Sequence, residues 1–258
     1  MRRAGFLLLG AVIVLVLVGP ELAPHSVTAP VGPPYAPPGA GHLLGTDHLG
    51  RDVLSRLLAG GRPLVLTSLL AAVAGTGLGA LTGLLSALLR WVNATLFRLL
   101  DVLAAVPPVL LLLLVLTALP SRTGLLLAVV LVSAPLSARV ARATADQVRH
   151  RGHVEAAVLR GEGIGWLLTR EVLPLVAGTL LADLGLRFVL SVYLVAAAGF
   201  LGISGTGSDW GLLVVEALPG VALQPWALLA PAVAIALLAV SATLVTDGVG
   251  ARAKAVLA

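Results

Sequence analysis

The stretch that decides the fold is residues 64–89, LVLTSLLAAVAGTGLGALTGLLSALL, which contains no charged residue. A helix needs about 20 apolar residues to cross the hydrocarbon core of a bilayer, so this stretch predicts a membrane-spanning helix. Gly75, Gly79 and Gly83 recur within it at four-residue spacing. Small residues at that spacing lie on one face of a helix, and we expect another helix to approach closely there.

Five further apolar stretches meet or approach the same length, namely residues 5–19, 102–119, 124–140, 175–201 and 226–245. We therefore predict an all-α polytopic membrane protein with six transmembrane helices. The first stretch follows Arg2 and Arg3 like a secretory signal peptide, but no small-x-small cleavage pattern comes after Val18. We interpret it as an uncleaved first span. Pro107-Pro108 and Pro135 are expected to interrupt the third and fourth spans.

The composition excludes several classes of protein. Of 258 residues, 59% are hydrophobic and 11% are charged, against roughly 25% charged residues in soluble domains. Soluble and disordered classes are therefore excluded, and the absence of cysteine excludes disulfides and thiolate metal sites. The single lysine, Lys254, precedes Ala255, so no phosphate-binding loop of the G-x-x-x-x-G-K-[ST] type exists. We expect ATP hydrolysis, if any, on another chain.

The basic residues indicate the orientation in the membrane. With the N-terminus inside, 12 of the 17 basic residues fall on inside segments, four fall outside, and Arg187 lies within a span. The inside residues are Arg2, Arg3, Arg90, Arg98, Arg139, Arg142, Arg149, Arg151, Arg160, Arg170, Arg252 and Lys254, and the outside ones are Arg51, Arg56, Arg62 and Arg122. This bias predicts cytoplasmic termini and explains the net charge of +5 without nucleic acid as a partner.

The first outside segment has two parts. Residues 20–41 are rich in Pro and Gly and predict an extended, irregular arm. In residues 47–59, apolar residues recur at helical spacing, and Asp47 with Arg51 and Asp52 with Arg56 form acid-before-base pairs four apart. This pattern predicts an amphipathic helix at the periplasmic membrane interface, with a soluble elbow as the alternative.

Asp183 and Arg187 are the charged residues inside a predicted span. They stand four apart, so they share one face of the helix. Intramembrane charge often marks a functional path, and the two residues are candidates for the lining of a translocation path. The alternative is a self-neutralised pair that only positions the helix.

The inside loop 141–172 is far longer than the other inside turns. Residues 153–161, HVEAAVLRG, predict a short helix that ends at Gly161, because glycine readily takes the left-handed conformation that stops helices. A short helix on the inner membrane face would offer a docking surface to a partner. The alternative is a basic loop that only fixes topology.

This loop resembles a known family motif. Glu155-Ala156-Ala157, followed by Gly161 and later by Leu173-Pro174, is similar to the EAA loop of importer-type ABC permeases, which forms the coupling helix that sits in a cleft of the ATPase subunit. Residues 42–58, HLLGTDHLGRDVLSRLL, resemble the segment after the first span in the C-type subunits of dipeptide, oligopeptide and nickel permeases. The motif residues there are Gly45, Thr46, Asp47, Gly50, Arg51 and Asp52.

The resemblance implies the transmembrane subunit of an ATP-driven ABC importer in the cell membrane, for dipeptides or short oligopeptides. Nickel or another metal chelate is the alternative substrate within the family. The implied partners are a second homologous permease, two ATP-binding subunits and an extracytoplasmic binding protein. ATP and Mg would bind the ATPase subunits, and no cofactor, metal site or catalytic residue is expected on this chain. Residues 1–63 would form the first span, the arm and the amphipathic helix, and residues 64–258 the permease domain.

Three positions depart from the family pattern. Leu175 follows Leu173-Pro174 where Asn is usual, and Val195 stands where a Glu is often found. Residues 205–209, GTGSD, replace a Pro-rich approach to Trp210. The departures leave the coupling motif intact and leave substrate identity open.

Two other function classes fit the sequence less well. A self-sufficient secondary transporter often shows internal repeats and several buried acids, whereas this sequence has no clear repeat and only Asp183 as a candidate buried acid. An intramembrane enzyme would need catalytic or metal-binding groups inside spans, but the five histidines all fall outside the predicted spans.

Overall fold

The structure, a computed structural model, describes residues 2–88, 93–203 and 209–257, and these form ten α-helices and no extended strand. The helices are α1 (Arg2–Leu22), α2 (Val53–Leu88), α3 (Asn93–Ala105), α4 (Pro108–Ala118), α5 (Arg122–Val148), α6 (Gly152–Leu159), α7 (Ile164–Trp166), α8 (Leu173–Phe200), α9 (Trp210–Ala217) and α10 (Trp226–Leu257). A π-helical turn, Leu167–Val172, joins α7 to α8, and a 3₁₀ turn, Leu218–Gly220, follows α9.

Some sequence features lie outside the described part of the chain. They are the departure at residues 205–208, Arg90, and the side chains of Arg2, Arg3, Arg252 and Lys254.

Five helical segments are long and apolar enough to cross a membrane: Gly5–Leu22, Val53–Leu88, Arg122–Val148, Ile164–Phe200 and Trp226–Gly248. The expected third span is not one helix, because α3 and α4 meet at 97°. Pro107 and Pro108 cause this break, since proline cannot continue the hydrogen-bonding pattern of α3. The expected interruption at Pro135 is wrong, because α5 continues through it.

The glycine face of α2 packs against α5, as the spacing predicts. Cβ atoms placed on these glycines would lie 2.6–2.8 Å from Cβ atoms of α5. The facing pairs are Gly75 with Ser133, Gly79 with Ser137 and Gly83 with Ala141. Residue numbers rise in the same direction along both helices through these contacts, so α2 and α5 run parallel. The chain must return across the membrane between them, which makes α3 and α4 one broken span and gives six crossings.

The two ends of the bundle differ. A Cβ atom placed on Gly5, early in α1, would lie 2.9 Å from the Cβ of Leu244, late in α10, so the two chain termini share one end. This end also carries α6 and is called the loop end. The opposite end, where Gly19 meets the backbone of Leu58 and where residues 23–52 lie, is called the arm end.

The predicted separate amphipathic helix at residues 47–59 is wrong. Residues 47–52 form a turn, and α2 begins at Val53 and runs through Pro63 to Leu88. Gly50 has φ +75°, a left-handed conformation that prevents a helix from starting earlier. Asp52 accepts the backbone N–H of Ser55 at 3.0 Å and so caps α2. The boundary drawn after residue 63 falls inside this helix.

The arm is irregular, as expected, but it is firmly attached. Thr46 Oγ1 donates to the carbonyl of Pro33 at 2.7 Å and accepts the N–H of Ala36 at 2.8 Å. Gly45 has φ +75°, and any side chain there would overlap the amide of Gln224. The motif glycine and threonine therefore hold the arm against the start of α10.

The α2–α5 contact gives a prediction with a matched pair of variants. Gly79→Ala should lower the thermal midpoint of the purified protein in detergent, because its Cβ would lie 2.5 Å from the carbonyl oxygen of Ala134. Gly77→Ala should leave the midpoint unchanged or raise it, since no atom lies within 4 Å and alanine favours helices by about 0.5–1 kcal/mol. Equal midpoints for the two variants would contradict the proposed close contact.

Candidate functional site

The short helix α6 follows α5 at the loop end. Its C-terminus shows the predicted glycine stop: Gly161 has φ +78°. The N–H of Gly161 donates to the carbonyl of Val158 at 3.0 Å, and the N–H of Glu162 donates to that of Ala157 at 3.2 Å. This pair of bonds is the Schellman motif, which satisfies carbonyls at a helix end. The prediction that the helix stops at Gly161 is confirmed.

One face of α6 fixes it to the bundle. Val154 and Ala157 are buried, and Val154 belongs to an apolar cluster. The cluster also contains Leu84 and Ala87 of α2, Ala141, Ala145 and Val148 of α5, and Val172 and Val176 at the start of α8. Through this cluster α6 packs against three transmembrane helices.

The other face of α6 is exposed. Leu159 is 87% exposed and Val158 is 54% exposed, and the Glu155 carboxylate also faces outward. Glu155 lies 3.7 Å from His150 and makes no hydrogen bond to a backbone N–H of the described residues. Beside this face lies a groove of about 630 Å³, lined by Ala87, Leu88, Arg149, His150, Val154, Glu155, Val158 and Leu159. Exposed leucine and valine beside a carboxylate are suited to bind another protein.

At the arm end the motif residues form a second cluster, a network of alternating charges. Asp47 Oδ2 accepts from Arg51 Nε at 2.7 Å and from Arg56 Nη1 at 2.6 Å. Arg56 Nη1 also reaches Glu216 Oε2 at 2.6 Å, and Arg51 Nη2 reaches it at 3.3 Å. Arg56 is 2% exposed. This network joins the turn at residues 47–52 to α2 and to α9.

The charge of Asp47 is stabilised. Burial raises the pKa of this carboxyl, but hydrogen bonds from the backbone N–H groups of Arg51 and Leu49 lower it. The guanidinium of Arg51 and the charge of Arg56 lower it further, and the net pKa lies below the ordinary value of 3.8. Asp47 is therefore ionised throughout the physiological pH range.

The same region brings together three groups of the kind that bind metals. Ligand atoms of Asp47, His48 and Glu216 lie within 4.8 Å of one another. Both carboxylates, however, already pair with Arg51 and Arg56. The guanidinium groups already balance the charge of both carboxylates, and the pairs join the turn at residues 47–52 to α9.

The other motif residues have structural roles that their positions explain. Asp52 accepts the Ser55 hydroxyl at 2.6 Å as well as its N–H, and His25 of the arm approaches the same carboxylate at 3.5 Å. A Cβ atom on Gly50 would overlap the carbonyl of Gly32. The motif residues therefore hold the arm closely against the start of α2 and do not form a separate surface helix.

Several contacts at this junction were not predicted from the sequence. Glu216 lies 160 positions from Arg56. Gln224 donates to the carbonyl of Leu44 at 2.6 Å, and Trp210 donates to that of Leu57 at 2.7 Å. Glu216 is the one charged residue in the apolar stretch 210–217, and that isolation was the available signal that it has a partner elsewhere in the chain.

The intramembrane pair lies between α5 and α8. Asp183, which is 3% exposed, accepts Arg187 Nη2 at 2.8 Å and Nε at 3.1 Å. Its second oxygen accepts the hydroxyl of Ser137 at 2.5 Å. The two predicted residues therefore do pair, and Ser137 is a third member that the sequence did not indicate.

Comparison with known proteins identifies the family. Residues 75–254, more than half of the chain, match the family described as binding-protein-dependent transport system inner membrane component. The chain belongs to this family. It is the integral membrane permease subunit of an ABC importer, as the EAA-like loop and residues 42–58 predicted.

Individual relatives of this permease carry related names. A peptide transport system permease protein of Brucella suis biovar 1 is 32% identical over 257 residues, 96% of this chain and 86% of that protein. A dipeptide transport system permease protein of Alkalihalophilus pseudofirmus is 28% identical, covering 82% and 71%. A glutathione transport system permease protein of Pectobacterium atrosepticum is 29% identical, covering 82% and 71%.

The network at the arm end predicts a specific pH dependence. Asp47→Asn should destabilise the purified permease by roughly 3 kcal/mol, because it removes one partner of a buried ion pair. Since the folded pKa is lowered, the contribution of Asp47 is fully present above pH 3.8 and is lost as pH falls further. The gap between the thermal midpoints of wild type and variant should therefore be constant at higher pH and close below about pH 4.

Glu21→Gln is the matched control. Glu21 lies 3.9 Å from Arg62, and the two side chains are 75% and 49% exposed. Such exposed pairs contribute about 0–1 kcal/mol, so the midpoint should change little at any pH. A larger loss for Glu21→Gln than for Asp47→Asn would contradict the role assigned to the network.

Proposed function

We propose that this permease imports dipeptides or short oligopeptides, and that α6 is the helix through which an ATPase subunit drives it. The single observation that carries the coupling part is the two-sided character of α6. Its inner face packs against the ends of α2, α5 and α8, while the side chains of Val158 and Leu159 are exposed. The peptide part is supported by the names of the relatives, which include peptide, dipeptide and glutathione permeases.

The proposed mechanism is alternating access without chemistry on this chain. ATP and Mg would bind two partner ATPase subunits, and their closing would displace α6. Because α6 shares an apolar cluster with three transmembrane helices, it would move with their ends. A second homologous permease would complete the path, and an extracytoplasmic binding protein would deliver substrate at the arm end.

The proposed orientation places the loop end in the cytoplasm. Both termini and α6 lie at this end, and it carries most of the basic residues. Basic residues are retained on the cytoplasmic side during insertion. The arm and its charge network would then face the exterior, where a binding protein docks.

Reporter fusions test this orientation. A fusion after Arg151 and another at the C-terminus should both report cytoplasm, because both positions lie on the basic side. A fusion after Gly41, in the arm, should report the exterior. An exterior signal after Arg151 would overturn both the orientation and the assignment of α6 as the ATPase contact.

A substitution at the tip of α6 tests docking without disturbing the fold. Leu159→Asp should abolish co-purification of the ATPase subunits and uptake by the reconstituted importer, since it places a charge in an apolar contact. The side chain is 87% exposed, so the permease itself should insert normally. Leu43→Asp, at an arm residue that is 67% exposed, should retain the ATPase subunits.

Gly161→Val is a second, independent variant. No atom lies within 4 Å of the position, but φ +78° strains a β-branched residue. The end of α6 should therefore shift and coupling should fail, while the binding protein still binds its ligand. Normal uptake by both Leu159→Asp and Gly161→Val would refute the coupling role. Uptake of a nickel chelate in place of peptides by the wild-type complex would refute the proposed substrate.

A further inference from the structure

One face of α8 carries polar groups deep in the membrane. Asp183, Arg187 and Ser191 follow one another at four-residue spacing, so they lie above each other on one face of the helix. Arg187 is near the middle of α8, which spans Leu173–Phe200. Ionisable residues at such depth face a bundle interior or a water-filled cavity.

Polar groups of α5 lie against this face. Ser137 donates to Asp183 at 2.5 Å, and Ser133 lies one turn away from Ser137 on the same face of α5. Both serines are also where α2 comes closest, at Gly79 and Gly75. We call Ser133, Ser137, Asp183, Arg187 and Ser191 the central seam.

Asp183 accepts hydrogen bonds from only part of the Arg187 guanidinium. Its Nε and Nη2 atoms both donate to Asp183 Oδ1. Its Nη1 atom makes no hydrogen bond to any residue that the structure describes, and it is not among the buried atoms without a partner. The guanidinium is thus held in place by Asp183 while one NH₂ group retains an accessible surface.

Two hydroxyls of the seam have no partner. Ser133 and Ser191 are 0% exposed, and their Oγ atoms make no hydrogen bond within the described part of the chain. Ser86 and Ser241, which are equally buried, instead donate to a carbonyl of their own helix. A buried polar group without a partner is unfavourable. A second state in which these hydroxyls bond to water or to a ligand would remove this penalty.

We infer that the central seam is the closed form of the translocation path, and that Arg187 binds the carboxylate of a passing peptide there. A guanidinium recognises a carboxylate through charge-assisted hydrogen bonds, and the accessible Nη1 is free to donate. Asp183 is the positioning residue that holds Arg187, and the Ser133 and Ser191 hydroxyls supply further donors when the helices part. The inference rests on the proposed peptide substrate and adds the group that is recognised.

The first test compares two forms of one substrate. Uptake is measured for alanyl-alanine and for its C-terminal amide in the reconstituted complex, each expressed per receptor-bound peptide. Wild type should favour the carboxylate form, and Arg187→Met should reduce its uptake about 10- to 100-fold while the amide changes little. ATPase stimulation by the loaded receptor should persist, because α6 is untouched.

A double variant separates recognition from structure. If the pair only stabilises the fold, the single change leaves Asp183 unpaired, and Asp183→Leu/Arg187→Met should restore uptake of both forms. If Arg187 recognises the carboxylate, the double variant should stay deficient for that form alone. Restored uptake of both forms, or an equal loss of both in Arg187→Met, would overturn the inference.

The cysteine-free chain allows a test that does not depend on peptide uptake. Ser191→Cys should react with a charged, water-soluble thiol reagent during turnover of the complete transporter, because the seam would open to water. Ala128→Cys, in the buried apolar cluster, should not react. An unreactive Ser191→Cys would overturn the path assignment.

The outcomes also distinguish this inference from the proposed function. Peptide uptake by wild type with no carboxylate preference would overturn the role of Arg187 and leave the importer proposal intact. No uptake of either peptide form by the wild-type complex would overturn the peptide proposal and the recognition of its carboxylate together.

Discussion

The close parallel contact between α2 and α5 is the constraint on which the rest of the structure depends. It exists because glycines at three successive turns of α2 have no side chain, so the backbone of α5 can approach closely. Since two parallel helices must be joined by a return crossing, this contact makes the bent pair of α3 and α4 a span and places both termini at one end. It also brings Ser133 and Ser137 to the depth where α8 carries its charged pair.

Two clusters of charged residues stabilise different parts of the fold, because in each a buried charge lies beside a group of opposite charge. At the arm end, two carboxylates and two guanidinium groups alternate, so that buried Arg56 has a counter-charge on two sides. Within the membrane, the carboxylate of Asp183 accepts hydrogen bonds from the guanidinium of Arg187 and from the hydroxyl of Ser137. In the first cluster both carboxylates pair with guanidinium groups and Arg56 Nε alone of the two guanidinium groups is a buried atom without a partner, whereas the second retains an accessible NH₂ group and two unpartnered hydroxyls nearby. An incomplete polar cluster in an apolar interior suits a part of the molecule that changes state.

The proposed route of coupling follows directly from these contacts. The inner face of α6 shares an apolar cluster with the loop ends of α2, α5 and α8. The same three helices meet again at the central seam, near the middle of α8. Because close-packed helices transmit displacement rather than absorb it, motion of α6 is expected to alter the spacing of the seam. The arm, tied by Thr46 and Gln224, would stay fixed at the other end.

The sequence by itself determined the membrane setting, the six crossings, the glycine face and the stop at Gly161, because each depends on local spacing and composition. It also carried the family motifs, which the match over residues 75–254 confirmed. It misplaced the helix at residues 47–59, since its apolar spacing continues into α2 and the turn at Gly50 is enforced by contact with Gly32. Only the tertiary structure decided that Glu216 joins the network at the arm end and that Ser137 joins Asp183. Those partners lie far apart along the chain, and no local pattern encodes which distant groups will meet.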